Sequence, residues 1–324
     1  MIDSFQIKIN RKLMHHECAL SLVSIGVPTY SRPAELRSCL EALSRQTYPN
    51  LEIIVSDNCS PGNEVIDVVN ELMARDSRIR FFRQSKNQGA IFNFQFVLNQ
   101  ALGDFFMWAG DDDYRTDDYV ETLVNLLNGQ PAAVLAFCDF TEVNSIDQAD
   151  DRHMTHLQYL KPFTSRCTTV RLLRYFFQLE PNGKANLIYG LIRMQGLDGF
   201  DWIALTKKHG EYGSDMLAVF SLLRKGPLAL SGRLLYRCTV GNVKHHNLQL
   251  PLASNTKKIV RQLNVLLDQL IYSAQYPILA QGINKIVMAG VWPIKAIDIF
   301  IRIFLSVELK NAWRRLKKRF ALLG

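Results

Sequence analysis

The six cysteines of the chain, Cys18, Cys39, Cys59, Cys138, Cys167 and Cys238, form no C-x-x-C pair and lie far apart. Such spacing excludes the usual thiolate zinc sites and a disulfide framework, and it fits a reducing compartment. Apolar runs of about 18 residues or more are missing as well. The nearest, Ile286 to Val307, is broken by Lys295, Asp298 and Arg302, each costing about 2.5–3.5 kcal/mol near a bilayer centre. At the N-terminus Lys8, Arg11, Lys12 and the His15/His16 pair interrupt any stretch of secretory type, so a cytoplasmic location is expected. No G-x-x-x-x-G-K-[ST] phosphate loop, internal repeat or low-complexity linker occurs. The body carries no basic face interleaved with aromatics, so no nucleic-acid partner is expected.

What is present is the balance of a folded globular protein: 324 residues, 48% hydrophobic and 21% charged, enough for one large domain or two smaller ones. The net charge of +8 is unevenly placed. Residues 1–279 hold 29 Lys plus Arg against 28 Asp plus Glu, whereas residues 280–324 hold 9 against 2. The body is neutral and the tail is basic.

From Leu20 onward, short β-rich runs alternate with helical patterns, the signature of an α/β fold with a mostly parallel central sheet flanked by helices. Strands are expected at Leu20–Val27, Leu51–Ser56, Ile79–Phe82, Asp104–Ala109 and Ala132–Phe140. Helices are expected at Pro33–Ser44, with Ser31 as N-cap, at Val65–Met73, at Ile91–Leu102, and from a Thr116 cap to Leu127. After a polar stretch at 141–166, the pattern gives a helix at Thr168–Phe177, a strand at Asn186–Arg193, a helix at Ser214–Leu223 and a strand at Leu228–Cys238. The organisation read from this is an N-terminal extension (1–19), one elaborated domain (20–250) and a C-terminal helical region (251–324).

In open α/β sheets ligands bind beyond the carboxyl ends of the strands. Three such ends are polar here: Pro28-Thr29-Tyr30, Asp57-Asn58 and Asp111-Asp112-Asp113. Three adjacent carboxylates repel one another unless a cation or water compensates them, and a divalent cation with phosphates is their natural partner. The other reading is an exposed turn favouring the next helix through its dipole, although Asp117 and Asp118 already supply that charge. Asp57 can accept the ring N–H of uracil, thymine or guanine, or it can form an ordinary Asp-Asn turn. Asn87-Gln88-Gly89 is a weaker loop signal of the same kind.

The order V-S-I-G-V-P-T-Y (Val23 to Tyr30), I-I-V-S-D-N (Ile53 to Asn58), K-N-Q-G (Lys86 to Gly89) and W-A-G-D-D-D (Trp108 to Asp113) resembles the family 2 glycosyltransferases of the GT-A fold, over roughly residues 20–240. The resemblance implies inverting transfer from a nucleotide-diphosphate sugar, with a donor half at about 20–140 and an acceptor half at about 141–250. It puts Asp57 at the base, Asp111 near the ribose or donor sugar, and Asp113 on a Mg2+ or Mn2+ ion as the end of a D-x-D motif, with Asp111 as its other acid and Asp112 as an ambiguous middle member. Pro28, Thr29, Tyr30, Asn58, Asn87 and Gly89 would line the donor. Asp215, opening an apolar helix, matches the position of the general base, with Glu211 in reserve, although Ser214 stands where many members have a second acid. An N-cap role for Asp215 is the bland reading. His245 falls where similar enzymes carry a histidine for the metal or diphosphate, and His246 reads as a surface residue. No Q-x-x-R-W segment occurs, so transfer of a single sugar is expected rather than polymer synthesis.

In the tail, Leu309, Trp313, Leu316 and Phe320 recur at helical spacing among Lys310, Arg314, Arg315, Lys317, Lys318 and Arg319. Upstream, Lys295, Asp298 and Arg302 line one stripe of an otherwise apolar segment. Both segments suit a membrane interface, where each basic residue near anionic lipid contributes about 1 kcal/mol; helices packed on the domain with a solvated basic face are the alternative. The combined expectation is a metal-dependent transferase using a UDP, dTDP or GDP sugar, peripheral at the cytoplasmic face of a membrane, with a glycan or lipid-linked acceptor in cell-surface polysaccharide assembly. A metal-dependent phosphoryl or nucleotidyl transferase, and a non-catalytic nucleotide-sugar-binding protein, are the rival classes.

Overall fold

The computed structural model of the chain describes residues 20–143, 155–239 and 255–304. The N-terminal extension, His245, His246 and the basic stretch 309–320 lie outside the described residues. In chain order the elements are β1 (Val23–Thr29), α1 (Pro33–Ser44), β2 (Leu51–Asp57), α2 (Glu64–Met73), β3 (Ile79–Arg83), α3 (Ala90–Asn99), β4 (Phe105–Trp108), β5 (Tyr114–Arg115), α4 (Tyr119–Gly129) and β6 (Leu135–Val143). There follow α5 (Leu157–Leu160), α6 (Thr168–Phe177), β7 (Leu191–Arg193), α7 (Trp202–His209), α8 (Ser214–Lys225), β8 (Leu228–Thr239), α9 (Asn255–Leu279) and α10 (Ile283–Phe304).

Among the described residues the strands form one sheet, ordered β3-β2-β1-β4-β7-β6-β8-β5. The first four pair in parallel, and β1, β2 and β4 are buried along their whole length, as strands covered on both faces should be. Helices α1, α2 and α3 make the crossovers. The buried Leu36, Leu40 and Leu43 of α1 recur at helical spacing. Helix α3 lies so close over β1 that a Cβ on Gly26 would sit 2.6 Å from Val97 Cγ2, which only glycine avoids. The second half is mixed: β7 is antiparallel to both β4 and β6, β6 and β8 are parallel, and β5 caps the edge antiparallel to β8.

Three sequence expectations change. Only Leu191–Arg193 of the expected strand at 186–193 is extended, because Asn186–Tyr189 form a 3-10 turn and Gly190 passes so near Ala136 that a Cβ would lie 2.4 Å from its carbonyl oxygen. The N-cap of α1 is Arg32 rather than Ser31, whose backbone N–H instead donates to Ser60 Oγ at 2.8 Å. Helix α4 starts from Asp118, and Thr116 donates its hydroxyl to Asp118 Oδ1 at 2.8 Å.

At the amino ends of the parallel strands, acids are paired. Glu52 Oε1 accepts from Ser24 Oγ at 2.5 Å and Leu102 N at 2.7 Å, and its Oε2 accepts from Arg80 Nη1 at 2.6 Å. Asp76, just before β3, accepts from the Nε and Nη2 of Arg78, and this pairing holds its carboxyl down at about 2.

The C-terminal helices α9 and α10 pack on each other and on α8 and α6 respectively. The charged stripe of α10 faces inward: Lys295 and Asp298 are buried, and the Lys295 ammonium lies over the Phe176 ring at 5.7 Å. Its outer side is apolar, with Ile283, Ile286, Ile294, Ile297 and Phe300 all exposed. The packing alternative therefore holds for α10, but its charges are covered rather than solvated. No described helix is long and apolar enough to cross a membrane.

Candidate functional site

Register brings the polar strand ends together. Thr29 pairs with Asp57 across β1 and β2, while pairing between β1 and β4 stops at Gly26 and Trp108, after which Ala109 N closes on Gly26 O at 2.8 Å. Pro28, the next residue of β1 whose nitrogen points toward β4, has no N–H to offer, so the two strands part there. Across the resulting gap the buried Thr29 hydroxyl donates to Asp111 Oδ2 at 2.7 Å. Tyr30 follows, 43% exposed, at the mouth.

Asp57 is fully buried at the end of β2. Its Oδ1 accepts from Ser60 N at 2.9 Å and from Ser60 Oγ at 2.5 Å, which is the turn-forming role expected of an Asp-Asn pair. Its Oδ2 accepts no hydrogen bond, although Arg83 Nε stands 3.5 Å away. A buried carboxylate oxygen left without a donor is costly and is a ready acceptor for one.

The neighbouring amides are occupied. Asn58 donates from Nδ2 to Asn87 Oδ1 at 3.0 Å and to Gly89 O at 3.1 Å, and its Oδ1 accepts from Gln88 N at 3.0 Å. Asn87 Oδ1 also accepts from Gly89 N at 2.9 Å. Gly89 adopts φ +86°, a left-handed conformation that lets the loop turn into α3. Asn58, Asn87 and Gly89 thus hold this loop against the end of β2, and Asn93 of α3 continues the network to Ser56 and Thr29 O.

The acids of the triplet have three different environments. Asp111 is buried, and burial pushes its carboxyl up to about 6 against the pull of Thr29 and Arg32. The half-exposed Arg32 bridges Asp111 Oδ1 at 3.1 Å and Asp112 Oδ2 at 2.7 Å. Asp113 turns inward: Tyr236 OH donates to its Oδ2 at 2.5 Å, Thr239 N to its Oδ1 at 3.2 Å, and Arg115 Nη2 lies 3.8 Å away. Burial raises the Asp113 carboxyl all the same, while Arg115 and Tyr236 pull it down. The Arg115 guanidinium is itself buried, lies over the Tyr236 ring at 5.0 Å, and donates no hydrogen bond from Nε or Nη2.

Among the described residues no three His, Cys, Asp or Glu side chains gather as a metal site. Asp111 and Asp113 offer two carboxylates, both raised by burial despite the arginines beside them. Mg2+ is ordinarily held by one or two carboxylates with substrate phosphates and waters completing its shell, so this donor set fits an ion that arrives with a diphosphate.

Asp215 lies in the first turn of α8. The N-cap of that helix is Gly213, at φ +66°, so the capping alternative for Asp215 is set aside; Met216 N donates to Asp215 Oδ1 at 2.7 Å. Burial, followed by Glu180, raises the Asp215 carboxyl above its ordinary range, against Met216 N and Lys184. A raised carboxylate is a better proton acceptor near neutral pH. Tyr189 is half-buried, and its phenol is pushed upward first by burial and then by Asp113 and Asp215. Glu211, the reserve base, is exposed in the preceding turn. Ser214, in the place of the second acid, accepts from Trp202 Nε1 at 3.3 Å.

Sequence reasoning missed Arg32, Arg115, Tyr189, Lys184 and Tyr236. Arg32 had a signal, a lone cation just after the first polar strand end, and so had Arg115, two residues after the triplet; the others reach the site only through the packing of the second half.

Residues 24–184 match the model of the family described as "Glycosyl transferase family 2". The chain is 34% identical over 117 residues to the GalNAc(5)-diNAcBac-PP-undecaprenol beta-1,3-glucosyltransferase of Campylobacter jejuni, covering 36% of this chain and 38% of that protein. It is 30% identical over 114 residues to Glycosyltransferase GlyG of Streptococcus pneumoniae, covering 35% and 38%. The matched stretch thus spans well under half the length of these relatives. Among solved structures, S. aureus TarS 1-349 superposes with a TM-score of 0.57 at 14% identity, covering 91% of each chain, a likeness of fold.

Proposed function

Over residues 24–184 the chain belongs to glycosyl transferase family 2, and on that premise we propose that it is an inverting, metal-dependent glycosyltransferase that moves one sugar from a nucleoside-diphosphate donor to an acceptor hydroxyl. The observation that carries this reading is the bare, buried Oδ2 of Asp57 at the carboxyl end of β2, one strand from the Asp111–Asp113 turn. Asp57 accepts the ring N–H of a uracil, thymine or guanine base. Asp111 lies toward the ribose and donor sugar, and Arg32 presents its guanidinium to the diphosphate.

Asp111 and Asp113 would hold a Mg2+ or Mn2+ ion, which when bound neutralises the departing diphosphate. Asp215 takes the proton of the acceptor hydroxyl as that oxygen attacks the anomeric carbon. The new C–O bond forms on one face while the bond to the diphosphate breaks on the other, so the anomeric configuration inverts and the nucleoside diphosphate leaves intact. His245 remains a candidate for the metal or diphosphate.

Residues 20–250 form the catalytic domain in this reading, and residues 251–324 bring it to the cytoplasmic face of a membrane. The outward apolar side of α10, followed by the basic stretch 309–320, suits an anionic lipid surface. The Campylobacter relative, named for a diphosphoundecaprenol-linked glycan, supports a lipid-linked acceptor in cell-surface glycan assembly.

The test is a thermal-shift panel of UDP, dTDP, GDP, ADP and CDP with and without Mn2+, using wild type, Asp57→Asn and Asp113→Ala. Metal-dependent stabilisation by UDP, dTDP or GDP, weakened in both variants, is expected. Stabilisation by none of them in folded protein would leave the non-catalytic reading, and a product other than intact nucleoside diphosphate would favour phosphoryl or nucleotidyl transfer.

A further inference from the structure

Each carboxylate oxygen of Asp111 and Asp113 already has a donor from the protein. Thr29 Oγ1 donates to Asp111 Oδ2 at 2.7 Å and Arg32 Nη1 to its Oδ1 at 3.1 Å, while Tyr236 OH donates to Asp113 Oδ2 at 2.5 Å and Thr239 N to its Oδ1 at 3.2 Å. A cation that is to reach this pair must displace one of the four donors or share an oxygen with it. Thr29 and Tyr236 are buried, and Thr239 is held at the end of β8, where its hydroxyl also donates to Asp112 O at 2.6 Å. Arg32 differs from the other three. Its side chain is 49% exposed, and it alone carries a positive charge at the end of a long, rotatable stem.

The foot of that side chain is anchored. Arg32 caps α1, its carbonyl accepting from Leu36 N at 3.0 Å, and Pro33 follows it with a φ fixed by its ring. Ser31 before it has a left-handed backbone, φ +56°, held in place as its N–H donates to Ser60 Oγ at 2.8 Å, and Ser60 is itself bonded to Asp57. From this foot the guanidinium reaches over the triplet and bridges Asp111 Oδ1 at 3.1 Å and Asp112 Oδ2 at 2.7 Å. Counted formally, the three acids face two cations, Arg32 and Arg115. A divalent ion added to that set would leave an excess of positive charge, whereas the same ion with Arg32 turned away would leave the set neutral.

We infer that Arg32 is a latch on the triplet: it holds Asp111 and Asp112 against a divalent cation that arrives alone, and it releases them when a diphosphate draws its guanidinium away, so that metal and nucleotide bind together. The inference rests on the reading of Asp111 and Asp113 as ligands of a metal-bound diphosphate. A diphosphate competes well for this side chain, because its oxygens match the guanidinium fork and carry more charge than a single carboxylate. Moving Arg32 from Asp111 to the diphosphate frees Asp111 Oδ1 for the ion in the same step. The anchored foot confines the change to one side chain, with α1 and the strand ends left where they are.

The experiment is the binding of Mn2+ alone to the full chain, read from the loss of the free-ion electron paramagnetic resonance signal, for wild type, Arg32→Gln, Arg32→Met and the double variant Arg32→Met/Asp111→Asn. Both single variants should bind Mn2+ about tenfold more tightly than wild type, and the double variant should lose that gain. Methionine offers the ion no oxygen, so a gain that it shares with glutamine does not come from a new ligand. In the presence of Mn2+, whichever of UDP, dTDP and GDP binds wild type should bind both single variants about tenfold more weakly. An arginine that only grips phosphate would leave the affinity for Mn2+ alone unchanged, and one that only supports the fold would lower both affinities together with the melting temperature. Unchanged or weaker Mn2+ binding in the single variants, a gain confined to Gln, or a gain that survives in the double variant would overturn the latch. If none of the three nucleotides binds wild type more tightly with Mn2+ than without it, the metal reading beneath the inference falls instead, whatever the Arg32 variants show.

Discussion

Glu52 and Asp57 stand at opposite ends of β2, and the fold treats them oppositely. Glu52, at the amino end, has donors on both oxygens, and nearby Asp76 is held at about 2 by Arg78. At the carboxyl end Asp57 keeps a buried oxygen that accepts no hydrogen bond and has only Arg83 at 3.5 Å, and burial lifts Asp111 to about 6 and raises Asp113 as well. One edge of the sheet is electrostatically closed and contributes stability. The other holds negative charge that the protein only partly compensates, the condition expected where a ligand supplies the missing donors and cations.

The contrast predicts that function and stability separate by edge. The largest effect is expected from Asp215→Asn, with turnover lower by roughly 10²- to 10⁴-fold while the melting temperature and UDP binding stay near wild type; undiminished turnover would remove Asp215 from the mechanism. On the closed edge, Glu52→Ala strands Ser24, Leu102 N and Arg80 and should cost about 3 kcal/mol in urea unfolding, with UDP affinity of the folded protein unchanged. A loss of affinity there without a loss of stability would break the comparison. Asp57→Asn keeps the Oδ1 bonds to Ser60 but loses the charged acceptor, so UDP affinity should fall about 10- to 100-fold by calorimetry with no fall in melting temperature.

The smallest effect concerns pH. Asp76, lowered to about 2, lends stability above the ordinary aspartate value near 3.9 and loses it as pH falls toward 2. Asp111, raised to about 6, does the reverse: its contribution is complete below about 3.9 and is lost as pH rises through 6. Donor-free Asp111→Asn should therefore gain about 1 kcal/mol at pH 7.5 and nothing at pH 4. An equal gain at both pH values would mean that the charge of Asp111 is not the cause.

The first half of the fold was legible because its signals are local. Apolar runs gave the four parallel strands to within a few residues, and polar residues at their ends gave Asp57 and the triplet. Caps were misplaced because Ser31 finds a partner in another loop, at Ser60, and Thr116 donates its hydroxyl to Asp118, two residues on, which is itself the cap. The inward turn of Asp113 was not legible, since Tyr236 and Thr239 arrive from a strand more than a hundred residues later. Nor was the orientation of α10, whose charged stripe reads as a solvated face until Phe176, Tyr272 and Tyr276 are seen to cover it. Periodicity says which residues share a face but not which neighbour that face meets.

Pro28 has a consequence for how the donor is received. A slot that opens because a hydrogen-bond donor is absent from the covalent chain is written into the sequence, whereas one prised apart by a ligand is not. The gap between β1 and β4 is fixed on folding, with the Thr29–Asp111 bond as a rivet across it. In the proposed reading, the donor's nucleotide meets a seat already formed in the fold, and little ordering is left to set against its binding.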